Sequence, residues 1–186
     1  MLLLGGISVP VIVLDAGHGG KDIGAEGNDL IEKKLTLQFV LKVEKYLNTK
    51  GNMSIHLTRR KDVFVPLENR SQIANRLNSN LFVSFHHNAG GGTGFESYIY
   101  PGLKNTTTGE IQKQMHKDIM TFLKVRDRGR KEEDFAVLRQ TKMPAILLEN
   151  LFLDSVMDAE LLKKAIFVDE LSQTIADSIA KIAVNL

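Results

Sequence analysis

The chain has 186 residues, 24 Lys and Arg against 22 Asp and Glu, a formal net charge of +2 and no cysteine. That length suits one α/β domain with a real core, and 43% hydrophobic with 25% charged residues excludes a disordered chain. Interspersed, nearly balanced charge gives no reason to expect nucleic acid, and without thiols any metal must be held by His and carboxylate.

The amino-terminal MLLLGGISVPVIVL is apolar, yet it has no positive n-region and no small-residue cleavage site, and it is too short to span a bilayer. It reads as an extension over residues 1–10 leading into a domain over residues 11–186, without a signal peptide. No later stretch reaches the roughly 18 consecutive apolar residues of a membrane helix, so no integral membrane association is expected.

Val11 to Asp15 (VIVLD) is the first strand, followed by a Gly-, Asp- and Asn-rich loop from Ala16 to Asp29 that carries Gly17-His18-Gly19-Gly20. Leu30 to Asn48 has helical spacing, with Leu35, Phe39, Val43 and Tyr46 as one stripe and Lys50-Gly51 as the stop. Glu32, three residues before Leu35, belongs to the inward stripe. It is either a first-turn acid complementing the helix dipole or, close behind His18, a ligand. Met53 to Thr58 alternates as a half-buried strand with His56 on its polar face. Pro66 starts a helix to about Leu77, with Leu67, Ile73, Ala74 and Leu77 inward and Arg70 near that face, where a guanidinium needs a carboxylate partner.

Leu81 to Asn88 (LFVSFHHN) is an apolar strand ending in two histidines. Alternation puts Leu81, Val83, Phe85 and His87 on one side and Phe82, Ser84, His86 and Asn88 on the other, so only one histidine faces a given site. Ala89 to Gly94 is a flexible rim, and Phe95 to Tyr100 is a strand closed by Pro101-Gly102. The spacing predicts a helix from Gly109 to about Leu123, with Ile111, Met115, Ile119 and Phe122 inward and His116 as a surface residue beside them. Val125 to Asp134 reads as a charged loop. Phe135 to Gln140 and Ala145 to Glu149 (AILLE) read as short strands, and two helices follow, Ser155 to Leu162 and Ala165 to Ala183, the latter with Phe167, Leu171, Ile175, Ile179 and Ile182 as its stripe.

This alternation implies a single-domain α/β fold, a twisted, mostly parallel or mixed sheet with helices on both faces. In such sheets ligands bind just outside the carboxyl ends of the strands. Three of those ends carry His18, His86 and Glu149, which points to one site. Two His and one Glu are a ligand combination of catalytic zinc, whose chemistry suits hydrolysis of an amide or ester. A carboxylate that does not bind the metal must then move the proton. Glu149, ending the most apolar strand, would have its pKa raised by desolvation; its other possible role is a buried partner for Arg70. A phosphate-loop reading of Gly17 to Lys21 fails on spacing, with Asp22 where Ser or Thr is needed. Ser84 lacks a nucleophile-elbow context.

The strings LDAGHGGKDIGAEG (Leu14 to Gly27), IEKKLTL (Ile31 to Leu37), LTRRKD (Leu57 to Asp62), NRSQIAN (Asn69 to Asn75), LFVSFHHNA (Leu81 to Ala89), GFESYIY (Gly94 to Tyr100), RGR (Arg128 to Arg130) and PAILLENLFLDS (Pro144 to Ser155) closely resemble the zinc-dependent N-acetylmuramoyl-L-alanine amidases of the Amidase 3 type, in order and over nearly the whole chain. The resemblance implies hydrolysis of the amide between N-acetylmuramic acid and the first L-alanine of the peptidoglycan stem peptide. It implies Zn2+ held by His18, Glu32 and His86, with Glu149 as the catalytic carboxylate. It further implies peptidoglycan as the partner, a monomer, and action on the cell wall as the catalytic domain of a phage lysin or a bacterial autolysin, reached by lysin-type release or after cytoplasmic synthesis before lysis. Ser155 departs from the Asn that often ends the last motif, and the chain ends with the catalytic fold where a wall-binding module often follows. The alternatives are a zinc peptidase cutting within the stem, and a silent wall-binding domain, which would have no need of Glu149.

Overall fold

The computed structural model describes residues 9–186, so most of the expected amino-terminal extension, Met1 to Ser8, lies outside the described residues. In chain order the elements are β1 (Val11–Ala16), the small hairpin β2 (Glu26–Gly27) and β3 (Leu30–Ile31), α1 (Glu32–Lys50), β4 (Ser54–Leu57), α2 (Leu67–Arg76), β5 (Leu81–Asn88), β6 (Phe95–Ile99), α3 (Thr107–Phe122), β7 (Asp127–Glu132), α4 (Ala136–Arg139), β8 (Ala145–Phe152), α5 (Val156–Leu162) and α6 (Ala165–Ala183).

Among the described residues one six-stranded sheet runs in the order β4-β1-β5-β8-β6-β7. The first four strands are mutually parallel, β6 runs antiparallel to β8, and β7 runs parallel to β6. The sheet is therefore mixed, with one block of parallel carboxyl ends. Ile12, Leu14, Val83, Phe85 and Ile146 pack on α1, α3 and α6, while Val13, Phe82 and Leu147 pack on α2 and α4. Helices thus cover both faces, as the alternation of elements predicts.

The apolar spacing explains the long helices. In α1 the buried stripe is Leu35, Phe39, Val43 and Leu47, and Gly51 ends the helix with φ +66, a left-handed conformation that costs glycine little. Tyr46, assigned to that stripe from spacing, sits at its edge and donates to Asp169 of α6 at 2.6 Å. Leu171, Ile175 and Ile179 of α6 are fully buried. Truncating any one to Ala removes about 2–5 kcal/mol, the usual cost of a large core cavity.

Several sequence expectations give way. Val125 to Asp134 is not a loop: it contains β7, an edge strand whose charge is what a sheet edge tolerates. Phe135 to Gln140 is not a strand, because the run is α4, a single turn that buries Val137 and Leu138. Leu67 does not point inward; it opens α2 and is 57% exposed. His116 is not a surface residue but 6% exposed, with Nδ1 2.9 Å from Ser97 Oγ and Nε2 2.9 Å from Asp127 Oδ1. The helix expected from Leu30 starts two residues later, because Leu30 and Ile31 pair back onto Glu26 and Gly27.

Candidate metal centre and active site

The carboxyl end of β1 is bent into place by two buried arginines. Arg70 Nη1 donates to Ala16 O at 2.5 Å and its Nη2 to His18 O at 2.7 Å, while Arg59 reaches Ala16 O at 3.0 Å and Gly17 O at 2.8 Å. Both side chains are almost wholly enclosed. Their charge is answered by Asp15, fully buried, which accepts from Arg70 Nη1 at 2.9 Å, Thr58 Oγ1 at 2.7 Å and Ser84 Oγ at 2.6 Å. Burial pushes the Asp15 carboxyl up, but Arg70 and the two hydroxyls outweigh it and hold the pKa below the usual range. Arg70 is thus paired with Asp15, and Glu149 is free of that role.

Those carbonyl clamps fix His18 at φ +61, a conformation a non-glycine residue rarely adopts. Its Nε2 lies 3.0 Å from Glu32 Oε2 and its Nδ1 2.9 Å from Asp22 Oδ1. Because a carboxylate only accepts, Asp22 fixes the Nδ1 proton and leaves Nε2 as the ligating nitrogen. Glu32, the first residue of α1 and 3% exposed, also accepts from the Ala25 N–H at 2.8 Å and the His87 N–H at 3.0 Å. His86 Nδ1 stands 3.0 Å from its other oxygen. Burial raises the pKa of Glu32, but hydrogen bonds and charge from His18 and His86 lower it far more. For His18 burial works downward, and Glu32 with Asp22 carries the pKa above 6.5.

The strand alternation of β5 separates the two histidines. His86 joins the cluster, whereas His87 turns to the core, packs on the Phe39 ring at 5.2 Å and donates from Nδ1 to Asn150 O at 2.5 Å. Burial brings its pKa down to about 4, so it stays neutral.

His18, Glu32 and His86 offer one donor atom each, all within 4.8 Å of one another. Two imidazoles and one carboxylate suit a small borderline cation such as zinc, with positions left for water or substrate. At two backbone positions beside them only glycine fits. A Cβ on Gly17 would stand 2.4 Å from His86 Cε1, and one on Gly24, at φ +69, would stand 2.6 Å from Glu32 Oε2. The residues present fit the metal.

Glu149 lies on β8 directly across from His86 on β5. Its Oε2 is sealed from solvent and has no hydrogen-bond partner among the described residues. Burial, with the negative charges of Glu32 and Glu96, pushes its pKa up to about 7 against the pull of His86 and His18. A carboxyl group that exchanges its proton near neutrality is what general acid–base work needs. The structure therefore brings His18, Glu32, His86 and Glu149 to one place. It adds Asp22, Arg59 and Glu96, which sequence reasoning did not single out. An acid four residues after His18 in the same loop was the available signal for Asp22. Arg59 and Glu96 become visible only with the strand register.

Known proteins share this sequence pattern and this fold. Residues 12–181 match the sequence pattern of Amidase_3, described as N-acetylmuramoyl-L-alanine amidase. The chain is 46% identical over 176 residues to the N-acetylmuramoyl-L-alanine amidase CwlM of Bacillus licheniformis, covering 94% of this chain and 69% of that one. It is 44% identical over 177 residues to the endolysin of Bacillus phage SPP1, covering 92% and 65%. Its fold superposes on the catalytic domain of the N-acetylmuramoyl-L-alanine amidase CwlV of Bacillus (Paenibacillus) polymyxa with a TM-score of 0.87, 36% identity and coverage of 92% and 97%. With the sequence pattern running nearly end to end and the same α/β framework beneath it, this chain belongs to the Amidase_3 family of N-acetylmuramoyl-L-alanine amidases.

Proposed function

We infer that the chain hydrolyses the amide between N-acetylmuramic acid and the L-alanine of the peptidoglycan stem, with zinc held by His18, Glu32 and His86 and with Glu149 as the catalytic carboxylate. The observation that carries this reading is the adjacency of the His18–Glu32–His86 cluster to a sealed, unpaired carboxyl oxygen one strand away. When bound, zinc supplies Lewis acidity toward a water and the amide carbonyl. The residues of the chain do the rest. Asp22 keeps the His18 tautomer, and the Ala25 and His87 N–H groups hold Glu32 in position. Glu149 takes the proton of the attacking water and returns one to the departing alanine nitrogen, a role favoured by its raised pKa.

The catalytic unit is residues 11–186, preceded by the short extension over residues 1–10. Every group in the reading comes from one chain, so the proposed chemistry needs no second copy. Among the described residues no helix is long and apolar enough to cross a membrane. Relatives named as a sporulation-specific amidase and as a phage endolysin support the wall as the place of action.

The test is a defined muropeptide incubated with protein of measured metal content. About one zinc per chain is expected, with release of N-acetylmuramic acid and a peptide beginning in L-alanine, stopped by a chelator and restored by zinc. Undiminished hydrolysis by metal-free protein would overturn the assignment.

A further inference from the structure

The sheet order sets the site out in a line. His86 is on β5, Glu149 on its neighbour β8, Glu96 on the next strand β6 and Arg128 on β7. Glu96 is the direct cross-strand partner of Glu149 and is 2% exposed. Its carboxylate accepts from Tyr98 OH and Arg128 Nε, each at 2.8 Å, and from Lys131 Nζ and Asn88 Nδ2. One buried anion thus faces two cations, and the surplus positive charge lies beside the catalytic carboxyl.

Arg128 is held on two sides. Nε is engaged by Glu96, and the guanidinium carbon sits 4.7 Å from the centroid of the Phe152 ring, three residues past Glu149 on β8. Among the described residues neither Nη donates to a protein acceptor, and a quarter of the side-chain surface remains open. A guanidinium fixed at one edge and one face, with its outer N–H pair free, is a preorganised fork for a carboxylate.

We propose that Arg128, with Lys131 beside it, binds a carboxylate of the stem peptide on the leaving-group side of the scissile amide and so sets preference for an acidic stem. The direction follows from the line of strands. With the amide carbonyl toward the His18–Glu32–His86 cluster and its nitrogen toward Glu149, the peptide that continues from that nitrogen runs on over β6 and β7, where the cations stand. Glu96 and Phe152 are the supports that hold the fork. This deepens the amidase reading and rests on it.

The experiment compares zinc-loaded wild type and Arg128→Gln on N-acetylmuramoyl-L-alanyl-D-glutamate and on the same compound with both carboxylates converted to carboxamides. Wild type is expected to favour the acid roughly tenfold in kcat/KM, mainly through KM, the lower end for a charge-assisted bond in a partly exposed place. That ratio falls with added salt. In Arg128→Gln it drops to about 1, and Lys131→Gln takes it part of the way. If Arg128→Gln does not fold, Arg128→Lys keeps a cation for Glu96 but loses the fork, and it too lowers the ratio. An equal loss on both substrates, leaving the ratio intact, overturns the proposal and makes Arg128 a support for Glu96. Equal hydrolysis of both by wild type overturns it alone, whereas hydrolysis of neither overturns the amidase reading with it.

Discussion

Glu32 is buried and Glu149 partly buried beside the same histidines, yet their surroundings push them in opposite directions. Glu32 has two imidazoles and two backbone N–H groups on its oxygens and stays ionised. Glu149 has an unpartnered oxygen and a pKa of about 7. That divergent proton affinity suits the proposed division into Glu32 as ligand and Glu149 as proton carrier. Glu149→Gln keeps the volume and removes the exchangeable proton. It is expected to retain fold and zinc while losing at least about 10²-fold in turnover, measured by metal analysis beside single-turnover rates. Zinc lost with the mutation would make Glu149 a ligand. His18 supplies a second prediction at this scale. In metal-free protein its pKa is raised above 6.5, so its partnership with Glu32 and Asp22 stabilises the fold fully below about pH 6.5 and fades as pH rises through the raised value. Zinc needs the neutral ring, so its uptake displaces that proton. Calorimetry in buffers of different ionisation enthalpy should find proton release from this site at about pH 6.5 that declines as pH rises through the raised value. Release that does not change with pH would contradict the link.

The end of β1 depends on a buried ion pair that does no chemistry. Arg70→Leu removes the clamps on Ala16 and His18 and leaves the Asp15 carboxylate without its cation. That change is expected to cost about 3–5 kcal/mol, a fall of roughly 10 °C in Tm for a domain of this size. Asp15 has a depressed folded pKa, so its stabilisation is present above about pH 3.9 and disappears as pH falls through the folded value. Thermal scans should therefore find the gap between wild type and Arg70→Leu narrowing in acid, and a constant gap would mean that the ion pair is not its source. The sequence signals divide along the same lines. Apolar runs that deliver a polar residue, as VIVLD, LFVSFHHN and AILLE do, were legible because period and burial agree, although β8 continues past the expected end at Glu149 to Phe152. So was the inward Glu32, three residues from Leu35. Arg70 was legible as a cation in need of a partner, but the choice between Asp15 and Glu149 depends on which strand lies beneath α2. β7 was hidden because its charged residues pair with Glu96 or His116 or face solvent and leave no period-two pattern. α4 was hidden because a four-residue helix is too short to have a period. His116 looks polar in sequence and is buried because Ser97 and Asp127 satisfy both ring nitrogens.

Across the whole molecule, the parallel block β4-β1-β5-β8 brings β1, β5 and β8 to a common edge, and the reversal at β6 sets a second, cationic stretch beside it. The candidate metal ligands, the proposed proton carrier and the cations Arg128 and Lys131 follow one another along that edge. An extended substrate carrying a sugar on one side of an amide and a peptide on the other matches this arrangement, and the relatives named as amidases and as an endolysin support a wall polymer as that substrate. In the proposed reading Glu149 alone is the proton-carrying acid, which predicts amide and not glycosidic cleavage. The most direct test is digestion of purified cell walls by the zinc-loaded protein, with new amino termini and new reducing sugar ends counted in the same digest. Free amino-terminal L-alanine should accumulate without new reducing ends and should cease on chelation. New reducing ends from homogeneous protein, or new amino termini at a later stem residue, would contradict the amidase account.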